Sequence, residues 1–242
     1  MKLRCLASGV LIKMYVSQAV ESRFSCRAFT NKPVSIELIK EILDVAKQAP
    51  SGGNLQPWHI HAISGKKLDQ IVLDIESKIA EMPMGEKTEY DVYPPNLWDP
   101  YRSRRFKCGE DLYKSINIPR EDKGARLNQL AKNFRFFGAP VGLFVYIDRQ
   151  MGPPQWSDVG MFLQTLMLIA REKGLHSCAQ EAWAMWHSTV KKHLVVDKNF
   201  MLFCGMGIGY ADESDPINSW RTDREAVDDF TTFYGFETDV IK

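Results

Sequence analysis

Residues 35–48 carry Ile39, Ile42, Leu43 and Ala46 at i, i+3, i+4 and i+7, a spacing that predicts an amphipathic helix capped by Ser35 and stopped by Pro50. Alternation over 58–63 predicts a half-buried strand. Ser64-Gly65 then turns the chain into a second amphipathic helix, with Leu68, Ile71, Val72, Ile75 and Ile79 on one side. Residues 141–147 form a continuous apolar run suited to a strand covered on both faces. Residues 158–173 read as a helix whose apolar positions, Met161, Phe162, Leu163, Leu166, Met167, Leu168 and Ile169, run around most of its circumference. Such a helix is buried on several sides, either at the centre of a large core or in a subunit interface. Gly174 stands where a C-terminal cap belongs, and a last strand is expected over 201–210.

The pattern breaks over 82–133, where prolines, aromatics and charges mix without a steady period. A lid or insertion with short helical pieces is the expectation there. Beyond Ala211 the chain is polar, with little core of its own. No internal repeat or low-complexity linker divides the chain. It parses as an N-terminal extension over 1–15 and one domain over 16–242, with the inserted lid at about 82–133 and a tail from about 211.

Composition narrows the class. The 242 residues are 45% hydrophobic and 25% charged, which excludes disorder or a collagen-like chain as a description of the whole. Lys and Arg number 31 against 30 Asp and Glu, a poor balance for a general nucleic-acid or membrane-surface binder. The five cysteines, Cys5, Cys26, Cys108, Cys178 and Cys204, are widely spaced with no C-x-x-C, so neither a disulfide framework nor a zinc site is expected. A reducing compartment follows, and a cytoplasmic protein is expected. Lys13 interrupts the mild apolar run over 5–12, against a signal peptide, and no stretch approaches the roughly 18 apolar residues of a membrane span.

Candidate chemistry lies in short clusters. Ser22-Arg23-Phe24-Ser25-Cys26-Arg27 puts guanidinium and hydroxyl donors together, which suits an oxyanion, although a solvated face has the same composition. Pro50 to Trp58 joins backbone freedom at Gly52 and Gly53 to the polar side chains of Ser51, Asn54 and Gln56. In Gly205-Met206-Gly207-Ile208-Gly209-Tyr210 the glycines alternate, so they share one face of a strand against which something packs closely. The dinucleotide fingerprint would need a further glycine where Tyr210 stands, and a following helix. Arg221 and Arg224 sit in the polar tail, where pairing with Asp228 and Asp229 competes with an anion-binding role. Cys178 reads as packing rather than as a nucleophile, and His59 and His61 lack a third metal ligand.

Together, S-R-F-S-C-R-A-F, A-P-S-G-G-N-L-Q-P-W, the apolar central helix, C-A-Q-E-A, and G-I-G-Y followed by N-S-W-R-T-D-R resemble the nitroreductase family of FMN-dependent NAD(P)H oxidoreductases over about 20–236. The resemblance implies an α+β fold, a three-layer sandwich with a mixed, mostly antiparallel sheet flanked by helices. It also implies an intertwined homodimer with FMN at the interface, the tail wrapping the partner. By position, Arg23 and Ser25 resemble residues holding phosphate or ribityl oxygens, Phe24 gives a backbone contact, and Arg27 lies nearer the pyrimidine edge of the flavin. Pro50, Ser51, Gly52, Asn54 and Gln56 would come from the partner; Ala179, Gln180 and Glu181 would pass the ring; Arg221 and Arg224 would complete the phosphate site. Many relatives have proline and glycine where this chain has Ala179 and Glu181.

The cofactor would carry the redox step, with NADH or NADPH and a small aromatic acceptor, a nitroaromatic or quinone, using the same ring face in turn. A ping-pong mechanism follows. No side chain is expected to be indispensable as acid or base, and no metal is expected. Tyr90, Tyr93, Trp98, Tyr101, Phe106 and Tyr113 in the lid are candidates to stack on the acceptor. The basic run Arg102, Arg104, Arg105 and Lys107 reads as a solvated face rather than a nucleic-acid contact. Alternatives are a reductive dehalogenase or flavin-modifying enzyme on the same scaffold, or a non-catalytic flavin-binding or sensing protein.

Overall fold

The structure, a computed structural model, describes residues 14–236. The N-terminal extension therefore lies almost wholly outside the described residues. Helix α1 (Val16–Ser22) leads into α2 (Ile36–Ala46), where Ser35 Oγ accepts from the Leu38 N–H at 3.2 Å as the sequence predicts. Strand β1 (His59–Ser64) and helix α3 (Gly65–Ile79) follow. Next come α4 (Tyr101–Ser115), α5 (Lys123–Ala131), β2 (Val141–Asp148) and α6 (Pro153–Glu172). The chain finishes with β3 (His176–Gln180), α7 (His187–His193), β4 (Phe200–Gly209) and α8 (Val227–Phe230). Helix α6 begins five residues before the expected start, because Pro153 at its first turn needs no N–H partner and is pre-set in φ.

Among the described residues, four strands form one sheet in the order β1-β2-β4-β3, every neighbouring pair antiparallel. Parallel character is confined to an isolated bridge between Ser25 and Ser177. Strand β2 is buried on both faces, as its unbroken apolar run predicts. Leu143, Val145 and Ile147 join one core with Ile39 and Ile42 of α2 and Phe162 and Leu166 of α6. Phe144 and Tyr146 join the other with Ile71 and Ile75 of α3, Trp183 and Trp186. The result is the expected three-layer α+β sandwich.

The alternating glycines of β4 do face close packing. A Cβ on Gly205 would lie 2.2 Å from Trp183 Cδ1, and one on Gly209 would lie 2.6 Å from Pro140 Cδ. Helix α6 buries Val159, Phe162, Leu163 and Leu166, but Met161 is 40% exposed and Leu168 only half-buried, so one chain covers this helix incompletely.

The 82–133 stretch is more ordered than its pattern suggests. It holds the 15-residue helix α4, which has no buried residue and so lacks an apolar stripe. The helix is supported by charges: Lys107 bonds Asp111 one turn on, and Arg104 and Lys107 reach Glu225 and Asp223 of the tail at 2.8 and 2.7 Å. Among the described residues, no helix is long and apolar enough to cross a membrane.

Candidate active site

The 22–27 segment runs alongside β3, with the Cys26 N–H donating to the Ser177 carbonyl at 3.0 Å. The buried Asn218 ties this segment to the tail. Its Oδ1 accepts from the Arg27 N–H at 2.9 Å, and its Nδ2 donates to the carbonyls of Ala28 at 2.7 Å and Asp212 at 2.8 Å. Two clusters nearly 200 residues apart in sequence thereby enclose one cleft of about 540 Å³. Arg23, Phe24, Ser25, Arg27, Arg221 and Arg224 all line it, with Gln164, Trp220 and one carboxylate, Glu21, which pairs with none of these arginines.

Four guanidinium groups thus share one cleft, and among the described residues none of them pairs with a carboxylate. The weighed pairing of Arg221 or Arg224 with Asp228 and Asp229 is not made; Asp223 goes to Lys107 instead. Arg221 lies 3.9 Å over the Phe24 ring and donates to the carbonyls of Asn218 and Trp220. Arg224 donates to Thr222 and to the Asp223 carbonyl. Burial, and then the facing positive charge of Arg224, lower the proton affinity of Arg23. Unneutralised positive charges held together in this way favour an anion bearing more than one negative charge. Beside them His176 is pushed down to about 4, first by burial and then by Arg171 and Arg221.

The ring-side candidates lie next along β3. Ala179 is exposed, while Gln180 is buried with its Nε2 donating to the Asn133 carbonyl at 2.7 Å. Gln180 Oε1 and Ser177 Oγ are buried without a partner among the described residues. Glu181 stands at the surface, and the surrounding protein raises its carboxyl above the usual range. Cys178 is buried, with its thiol pushed up to about 11 by desolvation, which agrees with packing.

The remaining candidates, Pro50, Ser51, Gly52, Asn54 and Gln56, do not reach this cleft within one chain. Their loop is anchored on the first half of α6, where Gly52 N–H donates to the buried Asp158 at 3.2 Å. Ser22, by contrast, meets Arg171. Asp158 and Arg171 lie about 20 Å apart along the helix at 1.5 Å per residue. Ser51 Oγ accepts from the Gln56 N–H at 3.0 Å, and Gly53, Asn54 and Gln56 adopt φ of 58°, 57° and 49°. The loop is exposed and shaped by left-handed backbone that glycine and asparagine tolerate.

A second cleft, of about 850 Å³, is lined mostly by the 82–133 stretch and shares Arg27 with the first. Tyr93, Phe106 and Tyr113 line it. Tyr90 does not: it packs against Trp156 and Phe203, and its hydroxyl donates to the Phe203 carbonyl. Trp98 and Tyr101 lie edge to face, 5.5 Å apart, outside the lining.

Sequence reasoning missed Asn218 and Asp158. Each had a signal: Asn218 opens the N-S-W-R-T-D-R run, and Asp158 lies four residues before Phe162 on the buried face of α6.

A family model described as the nitroreductase family matches residues 20–210. The chain belongs to the nitroreductase family. It is 41% identical over 218 residues to a 4-nitrobenzoate reductase of Pseudomonas putida, covering 90% of this chain and 95% of that one. It is 35% identical to a nitrobenzene nitroreductase of Ectopseudomonas oleovorans over 90% of this chain and 96% of the relative. Among solved structures, the FMN- and NADPH-dependent nitroreductase NfnB of sphigopyxis sp. strain HMH superposes with a TM-score of 0.89. It is 45% identical and covers 92% of this chain and 100% of its own. The family match ends at residue 210, so Arg221 and Arg224 join the site from outside the matched segment.

Proposed function

We propose that this member of the nitroreductase family is an FMN-dependent oxidoreductase that passes a hydride from NAD(P)H to a nitroaromatic acceptor. The observation that carries the reading is the convergence of Arg23, Arg27, Arg221 and Arg224, all without carboxylate partners, on one cleft. A flavin phosphate supplies the charge this cleft lacks. The names of the relatives support the same reading: FMN and NADPH dependence for one, nitrobenzoate and nitrobenzene as substrates for others.

The residues fit the cofactor. Arg23, Arg221 and Arg224 hold the phosphate, and Ser25 adds a hydroxyl donor. Phe24, its ring already under Arg221, forms the wall. Arg27 lines both clefts and would bring positive charge to the bound flavin. The partnerless Ser177 Oγ and Gln180 Oε1 mark polar groups in want of a ligand beside the cleft. FMN, when bound, supplies hydride chemistry that no side chain of this chain can perform. The protein's own part is to bind, orient and polarise, and no side chain is assigned as an indispensable acid or base. With FMN bound, NAD(P)H and acceptor would use the cleft in turn, and ping-pong kinetics is the expected outcome.

The functional unit in this reading is a homodimer. Met161 and Leu168 on the open side of α6, and the exposed Phe230, Phe233 and Tyr234 of the tail, are apolar surface that a second copy would cover. The Pro50–Gln56 loop then enters the partner's cleft, and the lid over 82–133 shapes the acceptor site. Cys26, Cys108, Cys178 and Cys204 are unpaired, which supports a cytoplasmic location.

The test is spectroscopic. Purified protein carries a flavin spectrum that NADPH bleaches under anaerobic conditions and that 4-nitrobenzoate restores. A coloured protein that every acceptor reoxidises slowly would instead be a flavin-binding sensor.

A further inference from the structure

We infer that Arg105 is the specificity-determining residue of the lid cleft, and that it receives the carboxylate of an aromatic acid substrate. The inference rests on the reductase reading above and names the class of acceptor.

Three arginines line the lid cleft: Arg27, Arg102 and Arg105. Arg102 is committed to Asp99 at 2.6 Å, and Asp99 is held further by the Ser103 hydroxyl at 2.6 Å. Arg27 belongs to the flavin cleft as well. The acidic group of the lining, Glu110, is neutralised by Arg126, which meets both its oxygens at 2.6 and 3.0 Å. That leaves Arg105. Among the described residues it makes no ion pair or hydrogen bond to a carboxylate, and its guanidinium lies 4.1 Å over the centre of the Tyr93 ring.

The stack has two consequences. It holds the exposed guanidinium against the cleft wall, where none of its N–H donors meets a carboxylate among the described residues. A carboxylate is the planar acceptor that matches such a fork with two parallel hydrogen bonds. Tyr93 and Phe106 line the same cleft, each with a guanidinium over one face, Arg105 and Arg120, so an aromatic ring meets them on the other face or at the edge. A flat ring with a carboxylate at one end meets both demands. The ring's reducible substituent then points towards Arg27 and the flavin cleft.

The experiment measures kcat/KM for 4-nitrobenzoate and for nitrobenzene in the dimeric, FMN-loaded wild type, Arg105→Gln, Arg105→Lys and Arg120→Gln. Arg120 lies over Phe106 but outside the cleft lining, and controls for the general positive field. Calorimetry gives the Kd of unreactive benzoate for each protein. The expectation is that Arg105→Gln lowers the nitrobenzoate-to-nitrobenzene ratio about tenfold or more, through KM. The benzoate Kd should rise to match, and Arg105→Lys should keep part of both. If Arg105→Gln loses its flavin, the lysine variant and the benzoate Kd carry the comparison. A ratio and a benzoate Kd unchanged within twofold would overturn the assignment. So would an equal effect of Arg120→Gln, or a shift in NADPH-over-NADH preference in place of the substrate ratio. If the wild type reduces neither nitroarene, the reductase reading has failed, and the benzoate Kd still decides for or against Arg105.

Discussion

The Arg27 N–H donates to Asn218 Oδ1 at 2.9 Å across 191 positions of sequence. This contact, with the two that Asn218 Nδ2 makes to Ala28 and Asp212, brings the tail's arginines to those of the first segment. Asn218 is 4% exposed, so its removal takes three hydrogen bonds from the interior of the junction. Asn218→Ala is expected to cost about 1–3 kcal/mol in urea unfolding. It should also weaken FMN binding, although Asn218 is no part of the charged set. Unchanged stability together with unchanged FMN affinity would show that the tail is held by other means.

Gly205 faces Trp183, a fully buried side chain. A methyl group there would come within 2.2 Å of the indole, which is itself stacked 4.3 Å from the Phe136 ring. Gly205→Ala should destabilise the protein by about 1–3 kcal/mol through overpacking. A thermal melt reads it, and Gly53→Ala is a poor control because its φ of 58° carries its own strain. Gly124, whose Cβ position meets only Asp122 Oδ1 at an ordinary 3.6 Å, is the better comparison and should be tolerated.

His176 makes stability depend on pH in a defined window. Its folded pKa is about 4, against an ordinary value of 6.5. Between these values the unfolded chain binds a proton that the folded chain does not. Its contribution to stability is therefore fully present above about 6.5 and is lost as pH falls towards 4. Denaturation of the flavin-free protein at pH 7, 6, 5 and 4 should show this loss. His176→Phe should reduce the slope between 6.5 and 4. An imidazole resonance titrating near 6.5 in the folded protein would refute the burial argument.

Asp158 holds Gly52 from a buried position on α6. Asp158→Ala leaves every arginine in place, yet should weaken flavin binding by loosening the loop that, in the proposed dimer, completes the partner's cleft. Equilibrium dialysis with FMN measures it. A full-affinity variant would remove the loop from the site.

Strands β1, β2 and β4, the glycine face of β4 and the helices α2 and α3 were legible from a clean period or an unbroken apolar run, whereas the five-residue β3 was not. Helix α4 was not, since it buries nothing and is held by Arg104 and Lys107 pairing with tail acids and by its Glu110 pairing with Arg126 of α5. The site divides in the same way. Charge-bearing clusters around Arg23 and Arg221 stood out as residue types without a core to serve. What joins them is Asn218, a single neutral side chain whose importance lies in burial and hydrogen bonding, and neither shows in composition. The Pro50–Gln56 loop was legible as a special backbone, but its distance from the cleft within one chain appears only in three dimensions.

Unpaired guanidinium groups from both ends of the chain are proposed to hold a flavin phosphate. Titration of flavin-free protein with FMN and with riboflavin, in the wild type and in Arg23→Gln, isolates the phosphate's share of binding. Wild type should bind FMN at least tenfold more tightly than riboflavin, and Arg23→Gln should lose most of that preference while still binding riboflavin. Equal affinity of the wild type for both flavins, or none for either, would contradict the account.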